Sequence, residues 1–249
     1  MSLLDWVNTR LNVLTSHWQI VPTLSEKKRV LLVSCHPLAD SFGSACARAV
    51  ESGLVAAGHE VRHKSLYEKE GVASYRGANF PPALTARERK GYHEIAASDG
   101  SKGGTELAPE VAEAVADLRW AQALVLVYPT WWMNVPGTLK GFIDRTFLPH
   151  VAFRLTTQAT AGDGGVTGTG LLPLLTNIER VGVVTTYGAS RLIVAGAGDN
   201  GRQMIGYALR PLFAPGCSLR WLGLYEMEST TEAQRRAYLA RIEAAYRNF

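Results

Sequence analysis

Short unbroken apolar runs, separated by longer stretches with helical spacing, organise most of this sequence. Val30–Ser34 (VLLVS) is such a run, as a strand covered on both faces requires, in contrast to the alternation of a half-exposed strand. Helical spacing follows from Ser44 to Ala57, and Gly58 supplies a stop. Glu60–Lys64 alternates weakly and is read as a second strand. Pro109–Trp120 repeats Val111, Val115 and Leu118 at helical intervals, and Ala123–Val127 (ALVLV) is the clearest central strand. Pro136, in its favoured first-turn position, opens a helix through Leu139, Phe142, Ile143 and Phe147. Val181–Thr185 predicts a fourth strand, Arg202–Phe213 a helix and Leu219–Leu224 a fifth strand. A last helix runs near Glu232–Tyr246, with a capping box at Ser229–Glu232. Five parallel-type strands with intervening helices predict an α/β, open doubly wound sheet.

Three segments fall outside this rhythm. Residues 1–28 are read as an N-terminal helical extension, with Leu4, Val7, Leu11, Leu14 and Trp18 at helical spacing and Pro22 ending the pattern. Such a helix suits packing on the domain or on a partner subunit. Tyr67–Thr105 is too long for a plain connection and is read as an insertion with a short helix around Ala86–Ala97. The glycine-rich Gly162–Gly170 (GDGGVTGTG) reads as a flexible loop. With no internal repeat or linker, residues 29–249 are taken as one domain.

Composition narrows the partners. The formal net charge is +4, mildly basic, without a Lys/Arg run of the kind that marks a nucleic-acid arm. Cys35, Cys46 and Cys217 are an odd number at wide spacing, so neither a disulfide framework nor a metal-type pair is read, and a reducing, cytoplasmic setting is expected. The amino-terminal stretch lacks the pattern of a secretory signal, and no apolar run reaches the roughly 18 residues of a membrane span. The six histidines show no metal-ligand pairing.

In open sheets of this kind, ligands bind beyond the carboxyl ends of the strands. Three loops there are candidates. The first, Cys35–Gly43, leads into a helix N-terminus, where unpaired N–H groups and the helix dipole suit phosphate; Ser41 can contact phosphate or simply cap the helix. It has neither the Lys of a P-loop nor the glycine fingerprint of a dinucleotide fold. The second, Tyr128–Pro136, carries Trp131 and Trp132, which suit either a stacking wall for a flat ring or a cover for the sheet edge or a subunit contact. The third, Thr185–Ser190, offers small residues and hydroxyls; it suits backbone donors aimed at a developing negative charge, or a plain turn.

The segments HPLADSFG (36–43), YPTWWMNVPGTLKGFIDR (128–145) and TTYGAS (185–190), in this order, resemble the flavodoxin-like NAD(P)H:quinone oxidoreductases. The resemblance spans about residues 29 to 230 and implies a flavodoxin-like fold with flavin at the strand ends. It places His36, Ser41, Phe42 and Gly43 at the phosphates. Pro129, Thr130, Trp131, Trp132 and Met133 would lie along the isoalloxazine, and Thr185, Thr186, Tyr187 and Gly188 at its polar edge. It implies FAD first, with FMN used by close relatives, NAD(P)H as co-substrate, a quinone-like acceptor and a homodimer. Hydride transfer would then be the flavin's chemistry, with Tyr187 and Gly188 stabilising the anionic reduced ring. Two positions depart from the family: Ala197 stands where a histidine of a Tyr/His pair is expected, and Met133 where the motif carries a second aromatic. A second expectation, from relatives that serve membrane transport systems, is a flavin-binding regulatory subunit with little turnover.

Overall fold

The computed structural model describes residues 26–67, 83–92, 107–159 and 166–249, with backbone alone at 156–159 and 166–169. The expected helix at 1–28 lies almost wholly outside them. Five strands form the central sheet: β1 (Arg29–Ser34), β2 (Glu60–Ser65), β3 (Ala123–Pro129), β6 (Arg180–Thr186) and β7 (Ser218–Leu224). All neighbours are parallel, in the order β2-β1-β3-β6-β7. This is the doubly wound parallel sheet expected from the apolar runs, in the strand order of the flavodoxin-like fold that the resemblance implies.

The central strands are covered on both faces, which explains why they read as runs. Leu31, Val33, Leu124, Leu126, Val181 and Val183 pack with Val115 and Leu118 of α3 (Pro109–Trp120) and Leu139 and Phe142 of α4 (Gly137–Thr146). Val30, Leu32, Val125, Val127 and Val184 pack on the other face with Val50 and Leu54 of α1 (Phe42–Ala56). Tyr238, Ile242 and Tyr246 of α7 (Glu232–Arg247) complete that layer. The short α2 (Ala86–Lys90) is tied to α4 by a buried ion pair, Arg145 Nη2 to Glu88 Oε1 at 2.7 Å, and Glu110 adds a second carboxylate at 3.1 Å.

Several expectations need correction. Residues 166–170, read as loop, belong to a strand: β4 (Phe153–Ala159) and β5 (Val166–Pro173) pair as an antiparallel hairpin apart from the main sheet. The helix expected over Arg202–Phe213 is three pieces. These are α6 (Asn200–Gln203), a π-helical turn (Met204–Leu209) and a 3₁₀ turn (Arg210–Leu212), in which Pro211 has no N–H for an α-helical bond to Tyr207. A short helix, α5 (Arg191–Gly196), precedes them. Pro136 is the cap rather than a first-turn residue of α4. The last capping box is Thr231 with Gln234, since Met227–Ser229 forms its own 3₁₀ turn first. The described part of the insertion helix ends at Gly91.

Candidate active site

Parallel strands of matched register bring three connections to one rim. Ser34 of β1 pairs with Val127 of β3, and Pro129 of β3 with Thr186 of β6. The adjacency continues past the strands: Cys35 N–H donates to Val127 O at 2.9 Å, Thr130 N–H to Thr186 O at 2.8 Å, and Tyr187 N–H to Leu224 O at 2.7 Å. The hydroxyls of Thr130 and Thr185 bond each other at 2.9 Å, joining the second turn to the third. The rim lies where the chain order reverses between β1 and β3, the ligand position of doubly wound sheets.

The first turn is a rigid entry to a helix. Ser41 is the N-cap of α1, its Oγ accepting from Ser44 N–H at 3.1 Å, while Ser44 Oγ donates to Leu38 O at 2.8 Å. Capping at the third position leaves the first-turn N–H groups of Phe42 and Gly43 without intrahelical acceptors, on the positive end of the helix dipole. The Phe42 ring turns the other way, towards Tyr238 of α7, with centroids 6.3 Å apart. His36 Nδ1 accepts from Leu38 N–H at 3.1 Å. Burial lowers the imidazole's pKa, so the neutral ring carries its proton on Nε2, a donor. The ring lies against Gly43: a Cβ there would stand 3.0 Å from His36 Cδ2, which accounts for the glycine.

The second turn presents its aromatics outward. Trp131 and Asn134 exchange two backbone hydrogen bonds of 3.1 Å, closing a two-residue hairpin. Its central residues, Trp132 (φ 51°) and Met133 (φ 56°), both lie in the left-handed region, a conformation that costs an ordinary L-residue roughly 1–2 kcal/mol. Trp131 is 45% exposed and Trp132 99%: the indole at the tip packs on nothing. Strain that displays a bare aromatic at a strand-end rim has the character of a ligand site.

The third turn divides its residues. Gly188 is exposed, with open space where a Cβ would stand. Tyr187 faces inward, against expectation. It is 2% exposed, its hydroxyl donates to Asp199 Oδ1 at 3.0 Å, and its carbonyl accepts from Met227 N–H at 3.0 Å. With its N–H already committed to Leu224, Tyr187 has no donor for a ligand on the rim. Its ring stacks on Tyr225 at 4.6 Å and 4°, and Gly223 allows this, since a Cβ there would lie 2.9 Å from Tyr187 Cε2. Asp199, Tyr225 and Gly223 went unnoticed in the sequence because no local pattern marks an inward-facing tyrosine.

The rim thus offers helix N-terminal donors, a neutral imidazole donor, an unpacked indole and an open glycine turn. That set fits a flat, phosphate-bearing ring. A cavity of about 340 Å³ lined by Tyr207, Arg210 and Cys217 opens at the amino end of β7, away from these groups. Among the described residues no cluster of His, Cys, Asp or Glu is placed to hold a metal ion, and no helix is long and apolar enough to cross a membrane.

The sequence model of the family described as flavodoxin-like fold matches residues 28–248. This chain belongs to that flavodoxin-like family. A ribosyldihydronicotinamide dehydrogenase-like protein, traD, of Penicillium crustosum is 28% identical over 119 residues, 48% of this chain and 43% of that protein. The uncharacterized NAD(P)H oxidoreductase YcaK of Escherichia coli (strain K12) is 27% identical over 128 residues, 51% of this chain and 57% of its own. The chain thus spans about half the length of the curated relatives it matches. Among solved structures, an NAD(P)H:quinone oxidoreductase from Methanothermobacter marburgensis shares the fold with a TM-score of 0.65 at 24% identity, covering 90% of this chain and 96% of that one. The regulatory-subunit reading finds no support in these likenesses.

Proposed function

We propose that this protein is a flavin-dependent NAD(P)H oxidoreductase that passes two electrons to quinone-like acceptors. The observation that carries the reading is the rim itself: Trp132, bare and held in a strained turn, stands beside a phosphate-type helix N-terminus and an open glycine turn. Family membership and relatives named as NAD(P)H oxidoreductases support it.

When bound, the flavin would supply hydride exchange between nicotinamide and acceptor. The chain's part is placement and electrostatics. The N–H groups of Phe42 and Gly43, the positive end of α1 and the Nε2–H of His36 would hold phosphate. Ser41 serves this indirectly, by capping the helix. Pro129, Thr130, Trp131, Trp132 and Met133 would wall the ring, and the Thr130–Thr185 bond keeps that wall in register with the third turn. Thr185, Thr186 and Gly188 would border the ring's polar edge, where the backbone N–H of Gly188 would favour negative charge. FAD is the preferred flavin and FMN the alternative. A second copy of the chain would cover the exposed Leu38, Trp131 and Trp132 of the rim turns and Leu192 and Ile193 of α5, giving a homodimer. Three buried free thiols suit a reducing, cytoplasmic setting.

The test is to reconstitute the purified protein with FAD or FMN and follow NAD(P)H oxidation with a quinone. Steady turnover is expected. Flavin reduced only once per protein, without turnover, would overturn the enzymatic reading. Trp132→Ala should weaken flavin retention, and unchanged flavin content would remove the stacking wall.

A further inference from the structure

We infer that Asp199 is a positioning residue for the rim: acting through Tyr187, it fixes the Gly188 turn at the spacing a flavin edge requires. This rests on the flavin reading above and adds a residue to it.

Behind the rim, the segment Gly198–Gly201 is wedged between the second and third turns. Gly198 (φ 95°) and Asp199 (φ 45°) are both left-handed, which swings the Asp199 carboxylate inward from the start of α6. A buried non-glycine residue held in this region implies that its surroundings dictate the conformation. Two residues on, a Cβ at Gly201 would stand 3.3 Å from Tyr128 Oη and 3.4 Å from Val135 N, so this segment also touches the Trp131–Asn134 turn's return.

Asp199 meets the third turn through one side chain. The Tyr187 hydroxyl donates to it at 3.0 Å, while the ring stacks on Tyr225 and passes close to Gly223, so the carboxylate holds the ring's far end. The Tyr187 backbone is fixed at both its N–H and C=O, and Glu226 N–H donates to Ala189 O at 3.2 Å. Gly188, between these pinned residues, is the open position. The carboxylate's surroundings are Tyr187 from the rim turn, Tyr128 from β3, Tyr225 from the segment after β7 and Arg202 from α6. Burial raises its pKa, while the Tyr187 hydrogen bond and Arg202 oppose the rise. A hydrogen bond to a buried carboxylate is among the stronger neutral-donor contacts, so its loss is felt by whatever it orients.

The experiment compares full-length wild type, Asp199→Ala, Asp199→Asn and Tyr187→Phe. FAD and FMN dissociation constants come from fluorescence titration, and apoprotein melting temperature is measured alongside. Asp199→Ala and Tyr187→Phe should each weaken flavin binding about tenfold. Asp199→Asn, which still accepts from Tyr187, should restore most of it. Should Asp199→Ala fail to fold, Tyr187→Phe carries the comparison. Wild-type affinity in Tyr187→Phe or in a folded Asp199→Ala, or Asn binding no better than Ala, overturns the positioning role alone. Absence of FAD and FMN binding by wild type overturns the flavin reading and this inference with it.

Discussion

Replacing Trp132 and Met133 by Asn and Gly together (W132N/M133G) should make the protein more stable and its ligand site weaker. Both residues sit at positive φ in a two-residue hairpin, for which Asn-Gly is the favoured sequence. Relief of two left-handed L-residues is worth roughly 2–4 kcal/mol at most. Asn recovers only part of its share, and Gly gives back about 0.4–1 kcal/mol through the freer unfolded chain. The net expectation is a gain of about 1–2 kcal/mol. Little packing is lost in exchange, because Trp132 is 99% exposed. For a chain of this size that gain raises the melting temperature by about 2–8 °C. Loss of the indole should meanwhile remove stacking worth about 1–3 kcal/mol, a drop of about 5–150-fold in flavin affinity. The assays are thermal unfolding of flavin-free protein by circular dichroism and fluorescence titration with FAD. A lower melting temperature would mean that Trp132 packs on the fold. A higher one with unchanged affinity would mean that the strained turn does not serve the ligand.

Four further expectations follow from buried charges and thiols. Glu88→Gln breaks the buried pair with Arg145 and should cost about 3 kcal/mol in denaturant unfolding, less if Glu110 compensates; an unchanged midpoint would refute the pairing. Because the Glu88 carboxyl is held below its usual pKa in the fold, the stability it gives is present above the ordinary carboxylate range and lost as pH falls through the depressed value, so wild type and Glu88→Gln should converge in acid. Asp199 has the opposite sign. Its raised pKa makes its contribution most favourable at low pH and lost as pH rises through the folded value, so the stability of wild type relative to Asp199→Asn should fall over that interval. Cys35, Cys46 and Cys217 are buried, with thiols pushed up to about 12, so a disulfide reagent should label them only in denaturant, and rapid native labelling would contradict the packing.

The central sheet was legible because strands covered on both faces leave apolar runs, as VLLVS and ALVLV do, and because Pro109 and Gly58 punctuate their helices. The β4–β5 hairpin left no such mark. It stands outside the main sheet with Leu155 and Leu171 half exposed, and its glycines resemble those of a loop. The 3₁₀ ending at Arg210–Leu212 was written in Pro211, whose effect a periodicity count overlooks. At the rim, residue types and loop positions were readable, since topology alone carries three strand ends to one edge. Side-chain direction was not. Whether Tyr187 faces a ligand or the interior depends on Asp199, Gly223 and Tyr225, all distant in sequence.

A crystal structure of the protein grown with FAD, and one grown with FMN, tests the rim most directly. The isoalloxazine should lie against Trp132 between residues 129–133 and 185–188, with a phosphate at the N-terminus of α1. Flavin bound elsewhere, such as the hollow beside Arg210 and Cys217, or a rim left bare at saturating FAD and at saturating FMN would contradict it.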